Sequence, residues 1–318
     1  MKYAPIILFV YNRPWHTRKT VEALQKNELA AESDLFIFAD GPTADASNEC
    51  LENISEVRKY IHTITGFQSV QIDEASQNIG CADSIIRGVG KVIEKHGKVI
   101  VVEDDIVAHP FFLRFMNDAL NTYENDKRIF CISATMERFE IPANYPYDVF
   151  LTYRTGSWGW ATWRAQWNTC NWDIESYPII KHPSKRKIKL FCRGGDDLWP
   201  MLNAQLLRKI DSWAIRYCYN MHELNKMCLR PVKSLVSNIG MDKSGTHCGD
   251  AEVPLLPLYD DIKAEDFVFP HEVKVDREIT RRIQNIFMQP VPKVKLTKRL
   301  KRFIKRVLAS LHLWAAKS

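Results

Sequence analysis

Over the first hundred residues, apolar β-forming runs alternate with amphipathic helical stretches, and that alternation restricts the fold more than any other feature. "PIILFVY" (5–11) is a continuous apolar run suited to a strand buried on both faces. "WHTRKTVEALQK" (15–26) follows with helical spacing through Val21 and Leu24. "DLFIFAD" (34–40) reads as a second strand ending on the turn signal "DGP". Residues 46–64 read as a helix with Leu51, Ile54, Val57 and Ile61 on one stripe. A strand over 68–73, a helix over 81–96 and a strand "KVIVV" over 98–102 complete the series. Alternation at this pitch implies right-handed crossovers and an α/β fold with a mostly parallel sheet flanked by helices.

Ligands bind outside the carboxyl ends of the strands of such sheets. Asn12 and Arg13 follow the first strand, Asp40 and Gly41 the second, and Glu103, Asp104 and Asp105 the fourth, so all three groups gather along one edge. Adjacent carboxylates repel, and burial makes each charge more costly. Three at the mouth of an apolar strand form either a solvated turn capping the helix that starts near Pro110, or a site for a cation or polar ligand. No GxGxxG follows the first strand and no GxxxxGK[ST] occurs, which disfavours a dinucleotide fold and a P-loop NTPase. Arginine beside a carboxylate cluster suits a diphosphate held together with a divalent cation.

At 318 residues, 46% apolar and 26% charged, the chain can bury a sizeable core and reads as soluble and globular. Its eight cysteines form no CxxC pair, which predicts reduced thiols and a cytoplasmic setting. The eight-residue stretch "APIILFVY" is too short to span a membrane and reads as a strand. The net charge of +6 is uneven: residues 293–318 carry nine Lys/Arg and no acid, leaving 35 bases against 38 acids elsewhere. A basic stripe across the folded domain, as nucleic-acid binding needs, is not expected.

The chain resembles the GT-A fold glycosyltransferases, in particular those related to eukaryotic N-acetylglucosaminyltransferase I. The resemblance rests on "PIILFVYNRP", "FADGP", "VIVVEDDIVAHPFFLRFM", "IFCISA", "LTYRTGSWGWATW", "GGDDLW" and "CLRPVKSLVSNIGMDKSGTHC", in that order, over roughly residues 5–250. It implies a GT-A domain over 1–260, with a nucleotide-sugar-binding half (1–128) and an acceptor half (129–260). It further implies metal-dependent, inverting transfer from a nucleotide-diphosphate sugar, a UDP sugar, to a hydroxyl of a glycan or lipid-linked glycan. By the same resemblance Arg13, with Asn12 beside it, meets the diphosphate, Asp40 the base, Asp104 the ribose and Glu103 the donor sugar. Asp105 ligates Mn2+ or Mg2+, Asp197 is the catalytic base, and Thr246 belongs to a loop closing over the diphosphate, with His247 a lesser metal candidate. The match is loose around "QNIGCADS", so the donor sugar does not transfer, and the long hydrophobic anchor of the Golgi enzymes is absent.

Each assignment has a plainer counterpart. Asp196 and Asp197 suit the N-terminus of the helix "LWPMLNAQLLRKI", and Asp40 is an ordinary turn residue. Trp160, Trp163 and Trp167 are spaced as a core-facing helix stripe, whereas Trp158, in the Gly-flanked "TGSWGW" turn, reads as a sugar-pocket wall. A nucleotidyltransferase is the alternative enzyme, disfavoured because "YNRPWHTRKT" has no glycine to grip a triphosphate. A carbohydrate-binding relative without a base is the non-catalytic alternative. After a peripheral segment (261–292), residues 293–318 place Leu296, Leu300, Phe303, Ile304, Val307, Leu308 and Leu311 on one helical face and basic residues on the other. That is the pattern of a C-terminal amphipathic helix lying on an anionic membrane surface, here the inner face, or docked on the body.

Overall fold

The eight-stranded sheet has the order β3-β2-β1-β4-β8-β6-β9-β7. It comes from a computed structural model describing residues 3–137, 139–242, 262 and 267–288. The chain divides into one compact unit, Met1–Phe287, and a second, Met288–Ser318, of which only Met288 is described. Thr246, His247 and the 293–318 helix therefore lie outside the described residues.

The parallel half of the sheet follows the sequence pattern. Strands β1 (Ile6–Val10), β2 (Asp34–Ala39), β3 (Ser69–Glu74) and β4 (Lys98–Glu103) alternate with helices α1 (Pro14–Gln25), α2 (Asn48–Ile61) and α3 (Cys81–His96). Ile6, Leu8 and Val10 enter one core layer and Ile7 and Phe9 the other, as do Ile100 and Val102 against Val99 and Val101. This explains why both strands read as unbroken apolar runs. Leu51 does not join the α2 stripe and is 44% exposed, so Ile54, Val57 and Ile61 alone anchor that helix.

Beyond β4 the sheet becomes mixed. A short strand β5 (Ile106–Ala108) leads to α4 (Phe112–Thr122) and β6 (Ile129–Ser133), then β7 (Val149–Thr152) and β8 (Trp160–Trp163). β8 is antiparallel to both β4 and β6. The tryptophan stripe is corrected here: Trp160 and Trp163 lie on a strand, not a helix, and face opposite core layers. Only Trp167 is helical, in α5 (Arg164–Trp167). Short α6 (Pro178–Lys181), α7 (Lys185–Phe191), α8 (Leu198–Leu206) and α9 (Trp213–Glu223) precede β9 (Met227–Pro231), which joins β6 in parallel and β7 antiparallel. β10 (Val236–Asn238) pairs with β5 in a separate ribbon, and α10 (Arg277–Ile286) closes the unit through Ile279 and Ile283. Among the described residues no helix is long and apolar enough to cross a membrane.

Candidate active site

Strand register explains why distant residues meet. Val10 pairs with Ala39, and Phe9 pairs with Glu103. The residues just beyond, Tyr11 to Arg13, Asp40, and Asp104 with Asp105, therefore share the carboxyl edge of the parallel strands. Glu103 is itself the last residue of β4, and only Asp104 and Asp105 form the turn into β5. The turn is locked by its backbone: Thr20 Oγ1 donates to Asp104 O at 2.7 Å and Ile239 N to Asp105 O at 2.9 Å. The neighbouring α4 starts at Phe112 without a side-chain cap, so the acids do not cap it.

Arg13 lies between the two aspartates. Nε donates to Asp104 Oδ2 at 3.3 Å, and Nη2 donates to Asp104 Oδ1 and, at 3.0 Å, to Asp105 Oδ2. Among the described residues the third nitrogen, Nη1, is buried without a hydrogen-bond acceptor. Burial alone would lower the guanidinium pKa, but Asp104 and Asp105 hold it above its ordinary value. Half-buried Glu103 is pushed up to about 8 by burial, then by Asp105 and Asp104, with Arg13 opposing. Buried Asp104 is also raised, desolvation outweighing the pull of Arg13. Gly240 makes this packing possible, because a Cβ there would run into Asp105 and come within 2.8 Å of Arg13 Nη1.

Asp40 is buried, and its Oδ1 accepts from Gly41 N at 2.8 Å and Ile79 N at 3.0 Å. Among the described residues no hydrogen bond uses its Oδ2. A cavity of about 160 Å3 borders it, lined by Phe38, Asp73, Ile79, Ser84, Arg87 and Lys91. Asn12 turns toward α2, where its Nδ2 lies 3.4 Å from Cys50 Sγ. Trp158 is partly buried against the core, and its carbonyl accepts from Thr135 Oγ1 at 2.9 Å.

Asp197 is held differently. It occupies the residue before α8 but makes no side-chain cap; instead Oδ1 and Oδ2 accept from Arg154 Nη1 and Nη2, both at 2.8 Å. The Phe287 ring covers the Arg154 guanidinium at 3.8 Å. Gly195 has φ +142°, and a Cβ there would meet Asp197 Oδ1 at 2.6 Å and Phe287 Cβ at 2.7 Å. Through the pairings β7 runs opposite to β4; the chain turns back after Thr152, and Gly156 already lies against Ser133, the last residue of β6. Asp196 is exposed. Arg154 and Gly240 lie within quoted segments but were given no role there, and Phe287 lies outside all of them. Only the acids they serve could have pointed to them.

Among the described residues, no three His, Cys, Asp or Glu side chains converge to hold a metal ion. Asp105 and Asp104 can supply part of a coordination sphere, and the orphaned Arg13 Nη1 fits the diphosphate that would supply the rest.

No family model matches the chain, and no curated protein matches it. Among solved structures it is similar to S. aureus TarS, at 10% identity over 72% of this chain and 35% of that one, TM-score 0.36. It is similar to S. aureus TarS 1–349 at 10% identity over 74% of this chain and 59% of that one, TM-score 0.38. A third is mannosyltransferase PcManGT from Pyrobaculum calidifontis in complex with GDP-Man and Mn2+, at 10% identity over 70% of each chain, TM-score 0.39. The chain thus spans about a third of TarS and somewhat over half of its 1–349 form.

Proposed function

We propose that the chain is a metal-dependent glycosyltransferase of GT-A type that moves a sugar, by inversion, from a nucleotide-diphosphate donor to a hydroxyl of a glycan or lipid-linked glycan. The observation that carries this reading is Arg13, bridged to Asp104 and Asp105 at the strand edge with a buried Nη1 awaiting an acceptor. A phosphate oxygen satisfies that donor, and buried donors left unpaired cost about 1–3 kcal/mol. Asp40 Oδ2 and the neighbouring cavity accept the base, a uracil in the reading favoured by the resemblance. A divalent cation, Mn2+ or Mg2+, held in part by Asp105, would neutralise the charge developing on the leaving diphosphate. Asp104 positions Arg13 and the ribose, Glu103 faces the sugar, and Trp158, Thr246 and His247 stand as further contacts.

Asp197 is the proposed base, but Arg154 occupies both of its oxygens. Each oxygen keeps a second lone pair, through which it can take the acceptor proton with both of those hydrogen bonds in place. That clamp favours a second reading, a carbohydrate-binding protein that holds the nucleotide sugar without transferring it. Melting temperatures with UDP, GDP and their sugars, each with and without Mn2+, test the donor site. A manganese-dependent rise with one nucleotide family is expected, and no rise with any nucleotide would refute the site. Release of nucleotide diphosphate in the presence of acceptor glycans then separates enzyme from binding protein. Peripheral attachment of the cytoplasmic protein to the membrane through residues 293–318 completes the proposal.

A further inference from the structure

The folded unit is acidic except at one place. Residues 178–195 contain Lys181, Lys185, Arg186, Lys187, Lys189 and Arg193 and no acid. Setting them aside together with the nine bases of 293–318 leaves 29 bases against 38 acids. The run covers α6 and α7, where the structure explains its exposure. Ser184 Oγ caps α7 by accepting from Lys187 N, and Phe191 anchors it, 1% exposed, with its ring 5.2 Å from Tyr219 and 5.3 Å from His222. With that one ring buried, Lys181, Lys185, Arg186, Lys187 and Lys189 are all exposed. Arg193 instead stacks on Tyr153, and Lys187 Nζ reaches Pro178 O at 3.5 Å. Among the described residues, Lys181, Lys185, Arg186 and Lys189 pair with no acid. Leu190, 41% exposed, stands beside them.

We infer that this surface of the folded unit docks on an anionic lipid surface. Four unpaired cations on a body otherwise net negative bias its orientation, because this run is the densest concentration of bases in the folded unit. Lysine predominates, and its flexible point charge suits a diffuse layer of headgroups; bidentate arginine would suit a fixed phosphate subsite. Leu190 adds an apolar contact at the level of the headgroups. The site does not depend on residues 293–318 or on the proposed reaction.

Co-sedimentation of the full-length protein with vesicles of about 30% phosphatidylglycerol in phosphatidylcholine, at roughly 0.1 M salt, tests it. Two backgrounds are used, the wild type and a tail-neutralised chain carrying Lys293→Ala, Lys295→Ala, Lys298→Ala, Arg299→Ala, Lys301→Ala, Arg302→Ala, Lys305→Ala, Arg306→Ala and Lys317→Ala. Combined Lys185→Glu, Arg186→Glu and Lys189→Glu should lower vesicle partitioning at least about tenfold in the tail-neutralised chain, with melting temperature and nucleotide response unchanged. Partitioning within about twofold in both backgrounds would overturn the inference. So would binding of soluble polyphosphate, lost on charge reversal, by a protein that ignores the vesicles, which would assign the face to a soluble polyanion.

Discussion

Replacing Asp197 by asparagine should cost both activity and stability, and the two losses can be separated through Arg154. The amide keeps the carboxylate's shape but turns an N–H2 toward a guanidinium that has only donors, so one of the two 2.8 Å bonds becomes a donor–donor contact. Breaking a fully buried pair costs about 3–5 kcal/mol, and with side chains 15% and 17% exposed we expect about 2–3 kcal/mol. Arg154→Met should cost a similar amount, and the double variant little more than either single one, because all three lose the same interaction. Turnover should diverge. Loss of a base lowers the rate by about 10²–10⁴-fold, whereas Arg154→Met leaves an unclamped base in place and should lose far less. Urea unfolding of the four proteins, with initial rates at saturating donor, gives both cycles. Equal rate losses in the two single variants would remove Asp197 from the chemistry and leave it a structural partner. Exposed Asp196, as Asp196→Asn, serves as the control and should change neither quantity.

Asp105→Asn should abolish the manganese dependence of nucleotide binding while leaving the melting temperature of the ligand-free protein within a few degrees, read by thermal shift. Gly240→Ala should destabilise by roughly 1–3 kcal/mol and weaken nucleotide binding, because its methyl enters the space between Asp105 and Arg13; unchanged binding would show that this packing is dispensable. His222 is lowered, chiefly by burial and also by Arg193, with Glu223 opposing. Its unfolded form therefore takes a proton first, so stability should fall as pH drops below about 6.5 and stay level above it. His222→Leu should flatten that fall, at most about 1.4 kcal/mol per pH unit, in unfolding curves between pH 5 and 7.5.

The parallel half of the fold was legible because β1 and β4 are buried on both faces, so their sequences are unbroken apolar runs framed by turn residues. Its edge was legible for the same reason: once strand ends are known, register brings Arg13, Asp40 and the acids together. The mixed half was not. Trp160 and Trp163 sit at helical spacing by coincidence, and the antiparallel insertion of β8 between β4 and β6 sends them to opposite layers. Leu51 fitted the α2 stripe but fell at its solvent margin. Asp197 was found by pattern, yet its clamp was invisible, since Arg154 lies 43 residues earlier and nothing local marks the pairing.

Phe287 is the last residue of the folded unit, while the arginine it covers sits near the middle of the chain. During synthesis the sheet and the Arg154–Asp197 pair can therefore assemble before their aromatic cover has been made. Assembly of this region finishes from the C-terminal side: until α10 docks through Ile279 and Ile283, water reaches the guanidinium and competes for the pair. A nascent or cleaved chain ending before Asp276 would keep its carboxylate edge but hold Asp197 loosely. The order of translation thus places the Arg13–Asp104–Asp105 edge ahead of a fully covered Arg154–Asp197 pair.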